Sequence, residues 1–579
     1  MRDLAIRRWW RRGRAQASGS ASGPAASTRL ERARVRLLTT GVILALCFGA
    51  VVLRTLDVAV IGAPAGPGVV GGMSTDNPFA RADIVDRNGV LLASNLPTHA
   101  LYVEPGKIFD RADAVAALGR VFPDLDLGRA AALIASGRKT ALLRHNLTPE
   151  QAHAINSLGI PGLWLERQEQ RFYPQGRLFA HALGFTDVDN RGLAGVEKAA
   201  DDELRRRAQD RSGPLALSLD IRVQHVLAQA LHETMTTHRA LGAAGMVMDV
   251  QTGELLALVS LPSFNPKAPD RSASEALFNR ATLGTYELGS TFKPFTVAMA
   301  LDLGIAGIED SYDATQPIRV SRYLIRDHRP ENRWLTVPEI LIHSSNIGAA
   351  RMAVDVGAER QRAFLDTLGM FERMPLESSE RGRPLAPRRW SEHTVMTVSY
   401  GHGLAVTPLH LIANYAALVN GGVTVTPTLL KRTPGERLVQ RRVISAETSA
   451  VMRMLLYTVV AEGTGKNAAV PGYLVGGKTG TAEKAIGGRY KHDSMITNFV
   501  GVFPIDRPRY AVLTMMDEPK GTKETFGFAT AGWTAAPVAG RVIERIAPLL
   551  GVPANFEPDE AEDEPAFARW DAGGSHASF

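Results

Sequence analysis

Seventeen consecutive residues without a charge, Leu37 to Leu53, constrain this chain more than any other feature. At about 1.5 Å per residue, a helix of this length spans roughly 25 Å, near the lower limit for crossing a membrane. Arg54 closes the run, and ten arginines against two acids precede it. Because an arginine excess keeps its flank in the cytoplasm, we predict a cytoplasmic tail at 1–36, a transmembrane anchor at 37–56 and an exported remainder.

A cleaved signal peptide is the alternative interpretation of this run. No convincing small-residue cleavage site closes it, and the long basic tail is more typical of an anchor. Cys47, the only cysteine, lies inside the run. The exported part therefore has no disulfide and no cysteine metal ligand or nucleophile.

The net charge of +7 and the pI near 9.5 suggest a nucleic-acid partner at first sight. The first 36 residues carry a charge of +8, however, which leaves about −1 for the rest of the chain. A nucleic-acid-binding domain would place its basic patch on the folded body. We therefore predict no nucleic-acid partner.

Composition divides the exported part into four segments. Residues 57–80 are rich in Gly, Pro and Ala and predict a linker. Residues 81–215 predict a mixed α+β domain without a catalytic cluster, opened by a hairpin around Asn88 and Gly89. Residues 216–550 predict a second domain, and the acid-rich 551–579 a disordered tail.

The second domain contains two apolar strands early and three late, with a large helical block between them. The early pair lies in 243–264, and the late strands contain GGKTGTAE, TNFVGVFP and RYAVLTMMDEP. This order predicts one antiparallel five-stranded sheet flanked by helices, so the predicted fold class is α+β.

Two serine–lysine pairs with the same spacing compete as a nucleophile and its base, Ser290 with Lys293 and Ser136 with Lys139. Positions i and i+3 of a helix share a face, so the two side chains can meet there. An almost wholly apolar helix begins at Ser290, and its burial would lower the pKa of Lys293 towards that of a useful base. Ser136 instead lies among charged residues typical of a helix end and a loop.

A second candidate element is Ser344 and Asn346, just before another apolar helix. A hydroxyl and an amide on one turn can relay a proton and hold a substrate carbonyl or amide. Taken alone the pair is weak, since such residues are common helix caps and Ser263 and Asn265 repeat the spacing.

A third candidate is Lys478 to Thr481 in a predicted strand. Alternation along a strand directs Lys478 to one face and the hydroxyls of Thr479 and Thr481 to the other, where a carboxylate could bind. Gly480 has no side chain, so an extended peptide could lie against the backbone there. An ordinary edge strand is the alternative.

Together these elements form an ordered set, S-x-x-K from Ser290, S-x-N from Ser344 and K-T-G from Lys478, with 54 and 134 residues between their first members. No such set follows Ser136. Closely related motifs occur in β-lactamases and penicillin-binding proteins. With DIVDRNGVLLA, RFYPQG and GLAGVE in its first domain, the chain resembles class B penicillin-binding proteins, which are peptidoglycan D,D-transpeptidases, from the anchor to about residue 548.

Two further motifs, HSSNIGAARMA and SYGHGLAVTPLHL, most resemble the division-specific, FtsI-type branch. Ser345 stands where β-lactamases usually have aspartate, which is normal for this class. His402 stands where many relatives have tyrosine, although Tyr400 is present. The resemblance implies that Tyr400 and His402 belong to the substrate-binding pocket.

The resemblance also implies catalytic roles. Ser290 attacks the carbonyl between the two terminal D-alanines of a pentapeptide stem, with Lys293 as general base. Ser344, between Lys293 and Lys478, passes the proton to the leaving amine. Asn346 binds the peptide amide.

The remaining implied roles concern the backbone and the ligands. The N–H groups of Ser290 and Thr481 form an oxyanion hole, and Thr479 and Thr481 bind the terminal carboxylate. An amine from a neighbouring stem then completes the crosslink, whereas β-lactams acylate Ser290 and remain attached. No metal or organic cofactor is required.

The resemblance further implies an inner-membrane protein with one span and a periplasmic catalytic domain. Its expected partners are a SEDS-family glycan polymerase and other division proteins, which the first domain, a non-catalytic pedestal, and the anchor would contact. The polar residues of this pedestal, Arg81, Asp86, Arg87, Asn88, Arg171 and Glu197, are expected to hold it together. The segment 517–533 is expected to be a mobile loop that borders the pocket.

Several alternatives remain open. An elongation-type transpeptidase and a D,D-carboxypeptidase use the same three motifs. A secreted β-lactamase would need a deacylating base, and no E-x-x-x-N occurs between Asn346 and Tyr400. A β-lactam-acylated receptor would need a cytoplasmic signalling domain, and a division scaffold would have no reason to keep all three elements.

Overall fold

The computed structural model describes residues 38–42, 44–46, 48–50, 80–320, 323–486 and 489–555. The chain separates into two compact units, Met1–Asp76 and Asn77–Phe579. In the first unit the described residues are helical. None of the helices in the described ranges is both long enough and apolar enough to cross a membrane. The predicted anchor at 37–56 is described only in part, and the basic tail, most of the linker and most of the acidic tail lie outside the described residues.

The N-terminal part of the second unit is a mixed α+β domain, as predicted. Its strands are β1 (Ile84–Val85), β2 (Leu91–Val103), β3 (Ala141–Leu147), β4 (Leu163–Phe172) and β5 (Leu215–Ala216). Its helices are α1 (Arg111–Val121), α2 (Leu127–Ile134), α3 (Pro149–Leu158), α4 (Ala180–Leu183), α5 (Gly195–Ala199) and α6 (Asp201–Asp210). The strands form one sheet in the order β3-β2-β1-β5, and β4 pairs with β2 outside this path.

The predicted hairpin joins β1 and β2 as an antiparallel pair. Gly89 has a φ of +87°, a left-handed conformation that favours glycine. The Asp86 carboxylate accepts hydrogen bonds from the backbone N–H groups of Asn88 and Val90, both at 2.8 Å, and closes the turn. The Asn88 amide donates to Asp220 at 3.0 Å, so the turn also contacts the following domain.

A buried ion cluster of Arg81, Arg171, Glu197 and Asp201 holds this domain together. Arg81 and Arg171 each donate to one oxygen of the Glu197 carboxylate at 2.7 Å, and Arg81 also pairs with Asp201. The side chains of Arg81 and Glu197 are completely buried. Arg205 also pairs with the partly exposed Asp201. Arg81 and Arg171 thus both have carboxylate partners, which fits the expectation that these residues are structural.

The described residues of the second domain form nine strands. They are β6 (Gly242–Asp249), β7 (Leu255–Leu261), β8 (Ser311–Asp313), β9 (Ile318–Val320), β10 (Tyr323–Ile325), β11 (Trp334–Thr336), β12 (Gly476–Ile486), β13 (Arg489–Phe503) and β14 (Tyr510–Asp517). The central sheet has the order β12-β13-β14-β6-β7, and each neighbouring pair is antiparallel. Beside β7, Glu254 makes a parallel bridge to Thr428. The prediction counted five antiparallel strands, and this sixth short segment makes the sheet as a whole mixed.

Helices cover both faces of the central sheet. They are α7 (Ile221–Thr237), α8 (Ser274–Leu277), α9 (Lys293–Asp302), α10 (Val337–Ile342), α11 (Asn346–Val356), α12 (Ala358–Thr367), α13 (Glu392–Ser399), α14 (Pro408–Val419), α15 (Ala446–Ala461) and α16 (Ala535–Leu549). Helices α7 and α16 pack together on one face of the sheet. Helices α14 and α15 pack on the other face, where α9 packs against α15. All twelve residues of α14 are buried, so this helix belongs to the core on that face of the sheet.

Candidate active site

Ser290 lies in a single 3₁₀ turn, Gly289–Phe292, that continues directly into α9. Gly289 has a φ of +62°, and a Cβ atom there would lie only 2.6 Å from the carbonyl oxygen of Thr481. Glycine is therefore required at this position for two reasons, backbone conformation and space. The close approach brings the Ser290 turn against strand β12.

Lys293 meets Ser290 one turn later, as the spacing predicts. Its Nζ lies 2.8 Å from Ser290 Oγ and 3.1 Å from Ser344 Oγ, and it also donates to the Ser344 carbonyl oxygen. Lys478 reaches the same hydroxyl from the opposite side, with its Nζ 3.0 Å from Ser344 Oγ. Ser344 Oγ thus bridges two lysines, one of which contacts the nucleophile candidate.

The two lysines are completely buried. Burial, and then the charge of Lys478, lower the pKa of Lys293, while Asp327 opposes this shift. Burial alone lowers the pKa of Lys478 to about 7. A lysine with a lowered pKa can be neutral near physiological pH, and a neutral amine can accept the proton of a serine hydroxyl.

Ser344 occupies the short connection between α10 and α11, with a φ of +58°. This left-handed conformation is uncommon for serine and needs support from its surroundings. Asp327 supplies part of that support, because its carboxylate accepts from Ser345 Oγ at 2.6 Å and from the backbone N–H groups of Asn346 and Ile347. The Asn346 amide donates to the carbonyl oxygen of Arg326 at 2.8 Å.

Strand β12 carries Lys478, Thr479, Gly480 and Thr481 past the Ser290 turn. Thr479 Oγ lies 2.7 Å from Thr464 Oγ, and the backbone N–H of Ala531 donates to Thr481 Oγ at 3.1 Å. A Cβ on Gly480 would lie 2.3 Å from the carbonyl oxygen of Leu288. Packing of β12 against the residue before the Ser290 turn is therefore enough to require glycine here.

Tyr400 and His402 lie in the turn after α13, and this turn contacts the residue before Ser290. The backbone N–H of Gly289 donates to the carbonyl oxygen of Gly401 at 3.2 Å. The rings of Tyr400 and His402 are 5.3 Å apart, and Tyr490 lies 6.1 Å beyond His402. The structure therefore brings all ten predicted site residues to one region around the Ser290 turn.

Ser136, the competing serine, follows α2 in the N-terminal domain. Its Oγ donates to the carbonyl oxygen of Leu133 at 2.7 Å, an ordinary contact at a helix end. Lys139 is exposed. Along the sequence, this pair is far from every other predicted element. It also shares none of the contacts that Ser290 makes.

Four residues around the site were missed by the sequence analysis: Asp327, Thr464, Glu287 and Tyr490. Asp327 and Thr464 reach the site through loops whose sequences contain no recognised motif. Glu287 lies three residues before Ser290 and accepts hydrogen bonds from Tyr490. Its position in the sequence was the one available signal.

The end of the 517–533 segment contacts the site through the bond from Ala531 to Thr481. This segment exposes Phe526 and Phe528, whose rings contact Trp533. Its mobility remains a prediction.

Comparison with known proteins agrees with this architecture. Residues 243–544 match the family model of the penicillin-binding protein transpeptidase domain, and residues 76–211 match that of the penicillin-binding protein dimerisation domain. The chain is 42% identical to a probable peptidoglycan D,D-transpeptidase FtsI of Caulobacter vibrioides, over 87% of each chain. It is 31% identical to the peptidoglycan D,D-transpeptidase FtsI of Escherichia coli, over 83% of this chain and 84% of the relative.

A solved structure supports the same assignment. Penicillin-binding protein 3 of Mycobacterium tuberculosis, in complex with aztreonam, superposes with a TM-score of 0.65 at 25% identity, covering 82% of this chain and 97% of the other. The chain belongs to the penicillin-binding protein transpeptidase family.

Proposed function

We propose that this protein is a peptidoglycan D,D-transpeptidase that crosslinks stem peptides through a serine acyl-enzyme during septal cell-wall synthesis, and that β-lactams inhibit it by acylating the same serine. One observation carries the proposal: Ser344 Oγ is shared by two buried lysines, and Lys293 also contacts Ser290 Oγ. The arrangement offers a nucleophile, a base and a proton relay in contact with each other. The names of the relatives support the substrate class.

In the first half-reaction, Ser290 Oγ attacks the carbonyl carbon between the two terminal D-alanines. Neutral Lys293, 2.8 Å away, accepts the hydroxyl proton. When the C–N bond breaks, the leaving nitrogen takes a proton through Ser344, and D-alanine departs. The product is an ester between the stem peptide and Ser290.

In the second half-reaction, the amine of a neighbouring stem attacks this ester. The new amide bond forms as the bond to Ser290 Oγ breaks, and the amine's proton returns to the serine through the Ser344 and Lys293 pair. Penicillins form the same ester but keep their leaving group attached through the ring. Their acyl-enzyme persists for that reason.

Oxyanion stabilisation is assigned to the backbone N–H groups of Ser290 and Thr481. The support is the close approach of the Ser290 turn to β12, since a Cβ atom on Gly289 would lie only 2.6 Å from the carbonyl oxygen of Thr481. Each such donor typically lowers the barrier by about 3–4 kcal/mol. Thr479 and Thr481 are assigned to the terminal carboxylate, Asn346 to the peptide amide, and Gly480, Tyr400 and His402 to the wall of the pocket.

We also propose the domain division and membrane placement expected from the sequence. A cytoplasmic tail at 1–36 and an inner-membrane anchor at 37–56 would be joined by a linker at 57–80 to a periplasmic body. That body comprises a pedestal at 81–215 and a transpeptidase domain at 216–550, followed by an acidic tail at 551–579. A SEDS-family glycan polymerase and other division proteins are the proposed partners of the anchor and pedestal.

Labelling of the full-length protein in detergent with a fluorescent penicillin tests the nucleophile. We expect one long-lived label per chain, lost in Ser290→Ala and retained in the matched control Ser136→Ala. A label that is retained in Ser290→Ala contradicts the assignment. A label that forms and disappears within minutes favours a β-lactamase instead.

The septal role needs a separate test in cells. Depletion of the protein should produce filaments, because septal crosslinking fails while elongation continues. Rounded cells would contradict the septal role and favour the elongation-type alternative. Analysis of products from a pentapeptide substrate would separate a transpeptidase, which forms dimers, from a carboxypeptidase, which releases only D-alanine and a tetrapeptide.

A further inference from the structure

Glu287 provides a partly exposed carboxylate three residues before Ser290. The Tyr490 hydroxyl donates to both of its oxygens, at 3.1 and 3.0 Å, and the backbone N–H of Gly403 donates at 2.9 Å. These bonds join the start of β13 to the turn after α13. We call Glu287, Tyr400, His402 and Tyr490 the Glu287 cluster.

Three aromatic rings stand beside this carboxylate. The His402 ring lies between Tyr400, at 5.3 Å, and Tyr490, at 6.1 Å. The Nδ1 atom of His402 is completely buried and has no hydrogen-bond partner among the described residues. Burial lowers the pKa of His402 and outweighs the opposing effect of Glu287, so the ring is neutral and one ring nitrogen keeps a lone pair.

The Glu287 cluster directly borders the catalytic centre. A Cβ on Gly401, between Tyr400 and His402, would lie 2.2 Å from the carbonyl oxygen of Gly289, the residue before Ser290. The charge of Lys293 also acts on the pKa of His402. A ligand bound at the cluster would therefore lie beside an acyl group on Ser290.

The chemistry of the cluster matches the second substrate of the proposed reaction. The attacking group is a primary amine, and such an amine, with a pKa of about 10.4 in lysine, is protonated at neutral pH. Carboxylates bind ammonium groups by charge-assisted hydrogen bonds, and aromatic faces attract them through cation–π interactions.

We propose that the Glu287 cluster binds the protonated amine of the acceptor stem, which then loses one proton to water and attacks the acyl-enzyme as a neutral amine. Glu287 is the anionic contact, and the rings of Tyr400, His402 and Tyr490 form the walls. This inference rests on the proposed function, since only a transpeptidase needs an amine site.

A purely structural role, fixing the β12–β13 hairpin to the turn after α13, is the competing explanation. It accounts for the bonds from Tyr490 and Gly403 to Glu287. It does not require the partial exposure of the Glu287 carboxylate beside the Ser290 turn. The exposure of Tyr490, 49% of its surface, also leaves the cluster open to a ligand.

Two nucleophiles of equal size but different charge, methylamine and methanol, test the proposal. The full-length protein in detergent is acylated by a thioester analogue of the stem, and the products of aminolysis, methanolysis and hydrolysis are measured. Glu287→Gln should lower aminolysis relative to methanolysis about tenfold, the size expected for one charge-assisted hydrogen bond. Tyr490→Phe, which removes only the supporting hydroxyl, should lower this ratio by a smaller factor, about threefold.

The matched control is Glu233→Gln, an exposed carboxylate on α7 that contacts only Gln229 among the described residues. It should leave the ratio unchanged. An unchanged ratio in Glu287→Gln that still binds penicillin at the wild-type rate would overturn the proposal, as would equal losses of aminolysis and methanolysis. Absence of any acyl-enzyme in the wild type would contradict the proposed function itself, so the two failures are distinguishable.

Discussion

Two clusters of buried cations in this chain differ in whether carboxylates neutralise their charges. In the N-terminal domain, Arg81 and Arg171 are matched by the carboxylates of Glu197 and Asp201. In the catalytic centre, no carboxylate of the described residues lies within ion-pair distance of Lys293 or Lys478, and the two lysines share a serine hydroxyl.

The difference separates stability from reactivity. A matched cluster keeps its charges, and breaking it leaves an uncompensated ion in the interior. Unmatched lysines instead lose their protons readily, which is what a general base requires. Residue type follows the same division, because arginine cannot be deprotonated in proteins whereas lysine can.

The largest expected effect comes from replacing Lys293, the proposed base, by arginine, the residue type of the matched cluster. Lys293→Arg keeps a buried cation near Ser290 but removes the possibility of a neutral base. We expect penicillin acylation to fall at least 10³-fold, near the upper end of what general-base catalysis contributes. Stopped-flow labelling measures the rate, and circular dichroism checks the fold.

Residual acylation of Lys293→Arg within tenfold of the wild type would show that Lys293 is not the base. The control is Lys139→Arg, the matching position of the Ser136 pair, which should acylate at the wild-type rate.

The next effect is on stability alone. Glu197→Gln removes the carboxylate that both arginines contact and leaves them incompletely matched in the interior. We expect the free energy of unfolding to fall by about 3–5 kcal/mol, with penicillin acylation of the remaining folded protein unchanged. Chemical denaturation followed by tryptophan fluorescence measures the loss.

Glu203→Gln is the matched control, because Glu203 pairs with Arg207 at the surface, where an ion pair contributes about 0.3–0.5 kcal/mol. Equal losses in the two variants would contradict the importance of the buried cluster.

A smaller effect is expected from replacing Asp327, the carboxylate that raises the pKa of Lys293. Asp327→Asn weakens the support of the Ser344 turn and removes the anion that opposes the lowered pKa of Lys293. We expect acylation to slow about tenfold, the size of one charge-assisted hydrogen bond. The rate should also persist to lower pH than in the wild type, because Lys293 then loses its proton more easily.

The pH profile is the decisive part of this experiment. A merely structural defect slows acylation equally at every pH, and that result would reject a role for Asp327 in setting the base. Asp313→Asn, which removes another turn-forming carboxylate, should leave the profile unchanged.

Sequence reasoning predicted residues that the fold brings together, because their spacing along helices and strands fixes local geometry. Ser290 lies one turn before Lys293, in the 3₁₀ turn that continues into α9, and Lys478 and Thr479 are neighbours within β12. It could not find Asp327 or Thr464, whose contacts depend on how distant loops fold back. It also could not find the close approach of the Leu288 carbonyl oxygen, which is a second reason for glycine at position 480.

The sheet shows the same limit. The five strands were visible as apolar runs, and their order in the sequence predicted one antiparallel sheet. The parallel segment at Thr428 was not visible, because a single bridge leaves no period of its own in the sequence. Short pairings of this kind are decided by packing against β7.

The smallest effect is the loss of stability caused by burying Lys478 without a carboxylate partner. Burial lowers the pKa of Lys478 to about 7, against an unfolded value of about 10.4. The folded protein therefore binds fewer protons than the unfolded chain between these values, and its stability rises with pH across that window. Lys478→Met should be more stable than the wild type below pH 7, because a buried charge is replaced by an apolar side chain.

This gain should shrink as pH rises from 7 and vanish near pH 10.4, where the wild-type lysine is neutral in both states. Thermal unfolding of both proteins at several pH values measures the difference. Lys484→Met on the same strand is the control, because Lys484 is matched by Asp517 and Glu518, each at 2.8 Å. That control should lose stability at pH 7. A loss in both variants would mean that Lys478 stabilises the fold, and the contrast between matched and unmatched cations would then fail.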